Sequence, residues 1–359
     1  MDQTPYLRLA ERLNALPNGF PATDDGAELR LLAKLFAPEE AALAAQLRAT
    51  LETPAQIAGR VGGDERDLHD QLMGMAKRGL IAAEPAEGGL GFRLMPFIVG
   101  IYEFQGSVLD AELAQLFEDY YRQAFMQVTA IEPQFHRVIP VNQSVPMDIE
   151  IHPYESAAEI VKQAQAWGVV DCICRKQKAL IGDPCGHPVD ICMALSQTPG
   201  AFDHASTVRV LTLDGALTTL QRAADAGLAH TLGNYREGVW YICNCCVCSC
   251  GILRGIRELG LANAVARSAF VSQVDEDRCA GCDLCVEYCQ FGALALDEDV
   301  AQVNRLRCVG CGLCVAHCPD HALSLSRRPE SEIKPVPVTQ RAWGIERAAA
   351  RGLDLDEVM

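Results

Sequence analysis

Seventeen cysteines, all beyond residue 171, are the residues of this 359-residue chain best suited to chemistry. They fall in three groups: Cys172, Cys174, Cys185 and Cys192; then Cys243, Cys245, Cys246, Cys248 and Cys250; then eight between Cys279 and Cys318. A disulfide framework suits them poorly. The count is odd, and the amphipathic start MDQTPYLRLAERLN lacks the basic opening and apolar stretch of a secretory signal. A run such as CNCCVCSC also crowds more sulfurs into one loop than can pair with good disulfide geometry. Ligation of metal by thiolates is the chemistry this pattern calls for.

Residues 279–290 read CAGCDLCVEYCQ and residues 308–319 read CVGCGLCVAHCP, each a C-x2-C-x2-C-x3-C run. The two form an internal repeat at an offset of 29 that also superposes Ala293-Leu294 on Ala322-Leu323 and Leu296 on Leu325. This resembles the bacterial two-cluster ferredoxin domain, over about residues 268–328. The resemblance implies two [4Fe-4S] clusters in which the fourth cysteine of each run ligates the other cluster. One cluster then takes Cys279, Cys282, Cys285 and Cys318, and the other takes Cys308, Cys311, Cys314 and Cys289. Gln290 departs from the pattern, standing where such domains usually carry proline. Paired C-x2-C loops also bind zinc, but the doubled three-plus-one run favours iron–sulfur.

The nine upstream cysteines lie in DCICRKQKALIGDPCGHPVDIC and ICNCCVCSCG. This arrangement resembles a prokaryotic family of ferredoxin-like proteins that couple a CxC-R…C…C loop and a CNCC-x-C loop to a downstream two-cluster ferredoxin. Members often carry a cysteine where this chain has Ser249. The resemblance implies an iron–sulfur role for Cys172, Cys174, Cys185, Cys192, Cys243, Cys245, Cys246, Cys248 and Cys250. Nine thiols can hold one or two further clusters, two of which would use eight. Structural zinc and free redox thiols are the alternatives. His187, His204 and His230 are candidate additional ligands, and Arg175, Lys176 and Lys178 are candidates to offset cluster charge.

At about 150 residues per domain, this length suggests two or three domains. Residues 26–96 read as helices followed by a hairpin: Pro38 suits a first helical turn, Thr53 and Asp64 suit N-caps, and LIAAEPAEGGLGFRLMP suits two short strands around a turn. The order resembles a winged helix-turn-helix. The stretch LDAELAQLFEDYYRQAF carries an aromatic stripe at helical spacing, which reads as core. Helices are also expected at YESAAEIVKQAQAWG and at LTLDGALTTLQRAADAGL, the latter capped by Asp214. The expected fold is an α+β multidomain chain. It has a winged-helix-like domain (1–96), a mainly helical cysteine-rich iron–sulfur domain (97–265), a two-cluster ferredoxin-like domain (266–328) and an extended tail (329–359).

Net charge narrows the function. Against 31 Lys+Arg stand 47 Asp+Glu, a net charge of −16 that repels phosphate backbones and anionic lipid. The helix that a winged helix would send into the major groove starts DERDLHD, and carboxylates there oppose DNA. No apolar run approaches a membrane span. There is no phosphate-cradling G-x-x-x-x-G-K-[ST], no dinucleotide fingerprint and no nucleophile elbow. The reading is a cytoplasmic iron–sulfur electron-transfer protein or subunit, relaying single electrons to or from a partner oxidoreductase with a basic docking face. No catalytic residue is assigned. The alternatives are a reductase acting on substrate at CNCCVCSC and a redox-sensing winged-helix regulator.

Overall fold

The computed structural model describes residues 2–141, 144, 151–261 and 264–355. The chain divides into two compact units: Met1–Ile131 with Leu180–Gly182 and Gly344–Met359, and Glu132–Ala179 with Asp183–Trp343. All seventeen cysteines belong to the second unit.

In the first unit, α1 (Thr4–Asn14), α2 (Ala27–Leu35) and α3 (Pro38–Ala44) pack through Leu9, Leu13, Leu31, Leu32 and Ala41. Pro38 opens α3, where its missing N–H costs nothing. Thr53 caps α4 (Pro54–Val61), its hydroxyl accepting from Gln56 N while the Gln56 side chain answers Thr53 N at 2.8 Å. Asp64 caps α5 (Glu65–Lys77), which buries Leu68, Leu72 and Met75. Its exposed face carries Glu65, Arg66, Asp67 and Asp70. The antiparallel hairpin β1 (Ala82–Ala86) and β2 (Gly89–Arg93) follows, joined along its edge by a bridge from Glu52 to Phe92. The aromatic stripe on α6 (Ala111–Tyr120) and the π-helical turn Tyr121–Phe125 is core: Tyr102 stacks on Phe117 at 3.8 Å, and Phe97, Tyr120, Tyr121 and Phe125 are buried beside them. The short helix α7 (Met126–Thr129) follows, and the buried Arg347 of the last helix donates to its Val128 carbonyl and to Pro17.

The second unit centres on a six-stranded antiparallel sheet. Its strands are β3 (His136–Ile139), β4 (Ala166–Asp171), β5 (Asp190–Ser196), β6 (Arg209–Leu211), β7 (Ala229–Gly233) and β8 (Tyr241–Cys245), in the order β3-β7-β8-β5-β4-β6. The expectation of a mainly helical region is corrected here. Segments such as DICMALS and YICNC, read as cysteine loops, are strands, with cysteine behaving as a small apolar residue on the face opposite Met193 and Ile242. One face carries Met193, Leu195, Leu232 and Ile242 and is covered by α8 (Ala157–Gln163) and α10 (Leu213–Asp225) through Ile160, Val161, Ala216 and Leu220. The segment expected to form one long helix into Cys172 instead splits into α8 and β4, and α10 is capped by Thr212 rather than Asp214. The helices α9 (Ile173–Leu180) and α11 (Arg254–Leu259) follow Cys172 and Cys250 in the chain.

Residues 270–327 repeat one layout twice. Strand β9 (Phe270–Val274) pairs with β12 (Leu323–Arg327), and β10 (Leu294–Asp297) pairs with β11 (Val300–Val303). Helix α12 (Leu284–Tyr288) and helix α13 (Leu313–Ala316) start 29 residues apart, and Tyr288 stacks on its repeat equivalent His317 at 3.6 Å.

Contacts therefore divide the chain elsewhere than expected. Residues 97–131 group with the N-terminal unit, and residues 266–328 group with the sheet. Main-chain bonds Val138 N to Ala266 O (3.0 Å) and Ala266 N to His136 O (2.9 Å), together with the ion pair Arg327–Glu155 (3.0 Å), join the last two. The tail is not wholly extended, since Gln340–Ala350 forms the helix α14.

Thr212 takes the hydrogen bond from Gly215 N at 3.1 Å, so Thr212→Ala is expected to cost about 1 kcal/mol of stability in chemical denaturation of the full chain. Asp214→Ala, which leaves the cap in place, is expected to cost less.

Candidate metal centres

The repeat places the eight downstream cysteines around two cavities. One is lined by Cys279, Cys282, Cys285 and Cys318 with Leu296, Ala301 and Leu323. The other is lined by Cys289, Cys308, Cys311 and Cys314 with Val303, Val309 and Leu313. Each cavity thus takes three sulfurs from one run and the fourth from the other.

The loops that hold the triplets need backbone that side chains oppose. Gly281 and Gly310 sit at φ +65° and +70°, and a Cβ on Gly310 would stand 2.1 Å from the Phe270 carbonyl oxygen. Gly310 is required by this close approach of strand β9, and Gly281 by the Asp299 carbonyl oxygen 2.5 Å from where its Cβ would stand, as well as by the turn itself. Main-chain N–H groups point at sulfur in the same repeat: Ala293 N donates to Cys289 Sγ at 3.2 Å and Ala322 N to Cys318 Sγ at 3.3 Å. The symmetry breaks at one residue. Ser272 Oγ lies 3.1 Å from Cys314 Sγ, while the repeat-equivalent position holds Ala301. Burial pushes the Cys314 thiol up to about 12 and Cys311 well above its ordinary value. Free thiols here would keep their protons, and a metal must displace them.

The nine upstream cysteines separate into six and three. In β5 and β8 the register Met193↔Ile242 sets Cys192 opposite Cys243, and strand alternation puts Cys243 and Cys245 on the face away from Ile242. Cys172 at the end of β4, Cys174 on α9 and Cys250 close the circuit. Sulfur-to-sulfur hydrogen bonds run Cys172–Cys174–Cys250–Cys245–Cys243–Cys192 and back to Cys172. Hydrogen bonds from Cys174 and Cys192, and then the Arg175 charge, pull the Cys172 thiol down, while its ring neighbours are pushed up. Thr231 Oγ1 adds a contact to Cys245 Sγ at 3.3 Å.

The remaining three form a separate trio: the sulfurs of Cys185, Cys246 and Cys248 lie within 4.8 Å of one another. Cys246 is held down at about 4, chiefly by the hydrogen bond from Cys248 and then by Arg175, whose buried guanidinium reaches Cys246 Sγ at 3.5 Å. Arg175 also donates to the carbonyls of Pro188 and Asn244. Ser249, buried, donates to Cys185 Sγ at 3.3 Å.

The other candidates fall out differently. Lys178 is buried against Asp183 at 2.6 Å and Lys176 faces Asp171 at 3.7 Å. His230 is committed to Asn244 at 2.6 Å, with burial holding it down at about 4, and His204 is exposed. His187 acts electrostatically on Cys246. Sequence reasoning missed Gln290 as a functional contact, seeing only a departure from proline. Its side-chain oxygen accepts from Val247 N at 2.8 Å, and its amide donates to the carbonyls of Cys245 and Gly227. The residue after ligand-run Cys289 therefore grips the CNCCVCSC loop directly. The presence of a side-chain amide where the pattern has none was the available signal.

The 4Fe-4S dicluster domain family matches residues 278–323, the segment that lines both downstream cavities. No curated protein matches the chain. The chain thus carries a ferredoxin-like iron–sulfur domain that binds 4Fe-4S clusters, within a mixed helix-and-sheet protein. Among the described residues no helix is long and apolar enough to cross a membrane.

Gln290→Leu removes the side-chain acceptor of Val247 N and both amide donations. It is expected to destabilise the CNCCVCSC loop locally by about 1–2 kcal/mol, read as faster amide hydrogen exchange at Val247 with iron content unchanged.

Proposed function

We propose that the protein relays single electrons between a partner oxidoreductase and a chain of iron–sulfur centres: two [4Fe-4S] clusters in the downstream cavities and a further iron–sulfur centre in the ring of six thiols. The observation that carries this reading is the exchange of one sulfur between the two downstream quartets. Four thiolates around an apolar cavity, with N–H groups aimed at the sulfurs, suit a cluster that cycles between two charge states without changing shape. Such a cluster supplies one-electron chemistry when bound. The residues around it tune where that electron rests, and Ser272 is the tuning group the repeat does not share.

The assignment of ligands follows the cavities: Cys279, Cys282, Cys285 and Cys318 on one side, and Cys289, Cys308, Cys311 and Cys314 on the other. Gln290 supports a route between the second of these and the ring, because it joins the residue after Cys289 to the carbonyl of Cys245. Arg175 supports an anionic centre in the ring, because its buried charge acts on Cys172. The carboxylates on the exposed face of α5 favour a basic protein surface over DNA as the partner of the N-terminal unit, whose winged-helix-like order of elements then serves docking.

Iron and acid-labile sulfide per chain, measured after anaerobic purification, test the count. About eight irons belong to the two downstream cubes, and iron beyond that belongs to the ring. In Cys318→Ser one of the two cubes is expected to be lost, or held through an oxygen ligand with an altered resonance spectrum, while the cube served by Cys289 persists; equal loss of both would refute the exchange. Ser272→Ala is expected to lower the reduction potential of one cluster only, seen as a shift of one component in a potentiometric titration followed by spin resonance.

A further inference from the structure

Nine upstream thiols invite assignment to clusters as a single set, but their spacing separates them. The six of the ring form a closed circuit, each hydrogen-bonded to the next. Cys185, Cys246 and Cys248 stand apart from it, with all three sulfurs within 4.8 Å of one another. Among the described residues no other trio of cysteine, histidine or carboxylate groups is so tight, the two ferredoxin-like quartets included.

That difference is chemical. In a cube each thiolate terminates its own iron at its own corner, so the ligand sulfurs stand well apart. Ligands that share one tetrahedral ion at a Zn–S length of about 2.3 Å stand ~3.8 Å apart. We propose that Cys185, Cys246 and Cys248 hold a single zinc-class ion, separate from the iron–sulfur centres.

The surroundings agree with a structural site. Cys246 is buried, and Cys185 and Cys248 are half-buried. Three thiolates on a divalent ion leave one negative charge, and the buried Arg175 guanidinium at Cys246 Sγ offsets it. Ser249 donates to Cys185 Sγ, so its hydroxyl is spent on a ligand sulfur. The ion would staple the 183–189 loop to the loop after β8, the two segments that lead into Cys192 and out of Cys245 and so frame the ring.

The proposal uses none of the thiols assigned above to iron, so the two readings fail separately. The test is metal content of the full anaerobic chain by mass spectrometry, with zinc-edge X-ray absorption on the same sample. About one zinc per chain in a shell of three sulfurs and one lighter donor is expected. Cys248→Ser is expected to lose that zinc to a chelator at least tenfold faster than the parent while retaining its iron. Cys318→Ser is expected to do the reverse, losing iron and keeping zinc. A parent chain that retains no zinc, a zinc shell of four sulfurs, or iron lost in step with zinc in Cys248→Ser would overturn the proposal. The absorption measurement on the parent decides the matter even where the variant does not fold.

Discussion

Sulfur packed against sulfur is the constraint on which the second unit depends. A buried thiolate beside other thiolates is held only by positive charge or by a proton, and the groups near Cys311 and Cys314 supply too little charge to ionise them. A metal is what lets such a site exist at neutral pH without trapping protons. In the ferredoxin-like segment this makes the fold conditional, because the four short strands and two short helices enclose little apolar core apart from the residues around the cysteines themselves.

The sheet solves a different problem. Antiparallel pairing sends alternate side chains to opposite faces, so one face of β5 and β8 packs under α8 and α10 while the other delivers Cys192, Cys243 and Cys245. A helix at this place would spread the same sulfurs around its circumference. The strand ends then add Cys172 from β4, and α9 and the turn after β8 add Cys174 and Cys250. Six sulfurs from three stretches of sequence thus meet because the strand order brings β4, β5 and β8 side by side.

The two sulfur-rich regions belong to one body. The Val138–Ala266 pairing, the Arg327–Glu155 ion pair and the Gln290 side chain all cross between them, and Val141 N bonds to the carbonyl of Cys311, itself a lining residue of a downstream cavity. Glutamine at position 290 gives up the rigidity of proline at the end of a ligand run and gains two hydrogen bonds to the neighbouring CNCCVCSC loop and one to Gly227.

Spacing along the chain was enough to identify the ferredoxin-like segment, since a C-x2-C-x2-C-x3-C loop carries its geometry locally and the offset of 29 repeats it. The helix starts at Thr53 and Asp64 and the first-turn proline at Pro38 were legible for the same reason: a cap is satisfied within three residues. The six-stranded sheet was not legible. Its strands are short, rich in cysteine on the face opposite the core, and paired with partners distant in sequence, so neither periodicity nor turn signals mark them. For the same reason the sequence alone marked seventeen clustered sulfurs as candidate metal ligands, while only tertiary structure decided that the upstream nine divide into a ring of six and a trio, because strand register and loop approach are long-range facts that no local spacing encodes.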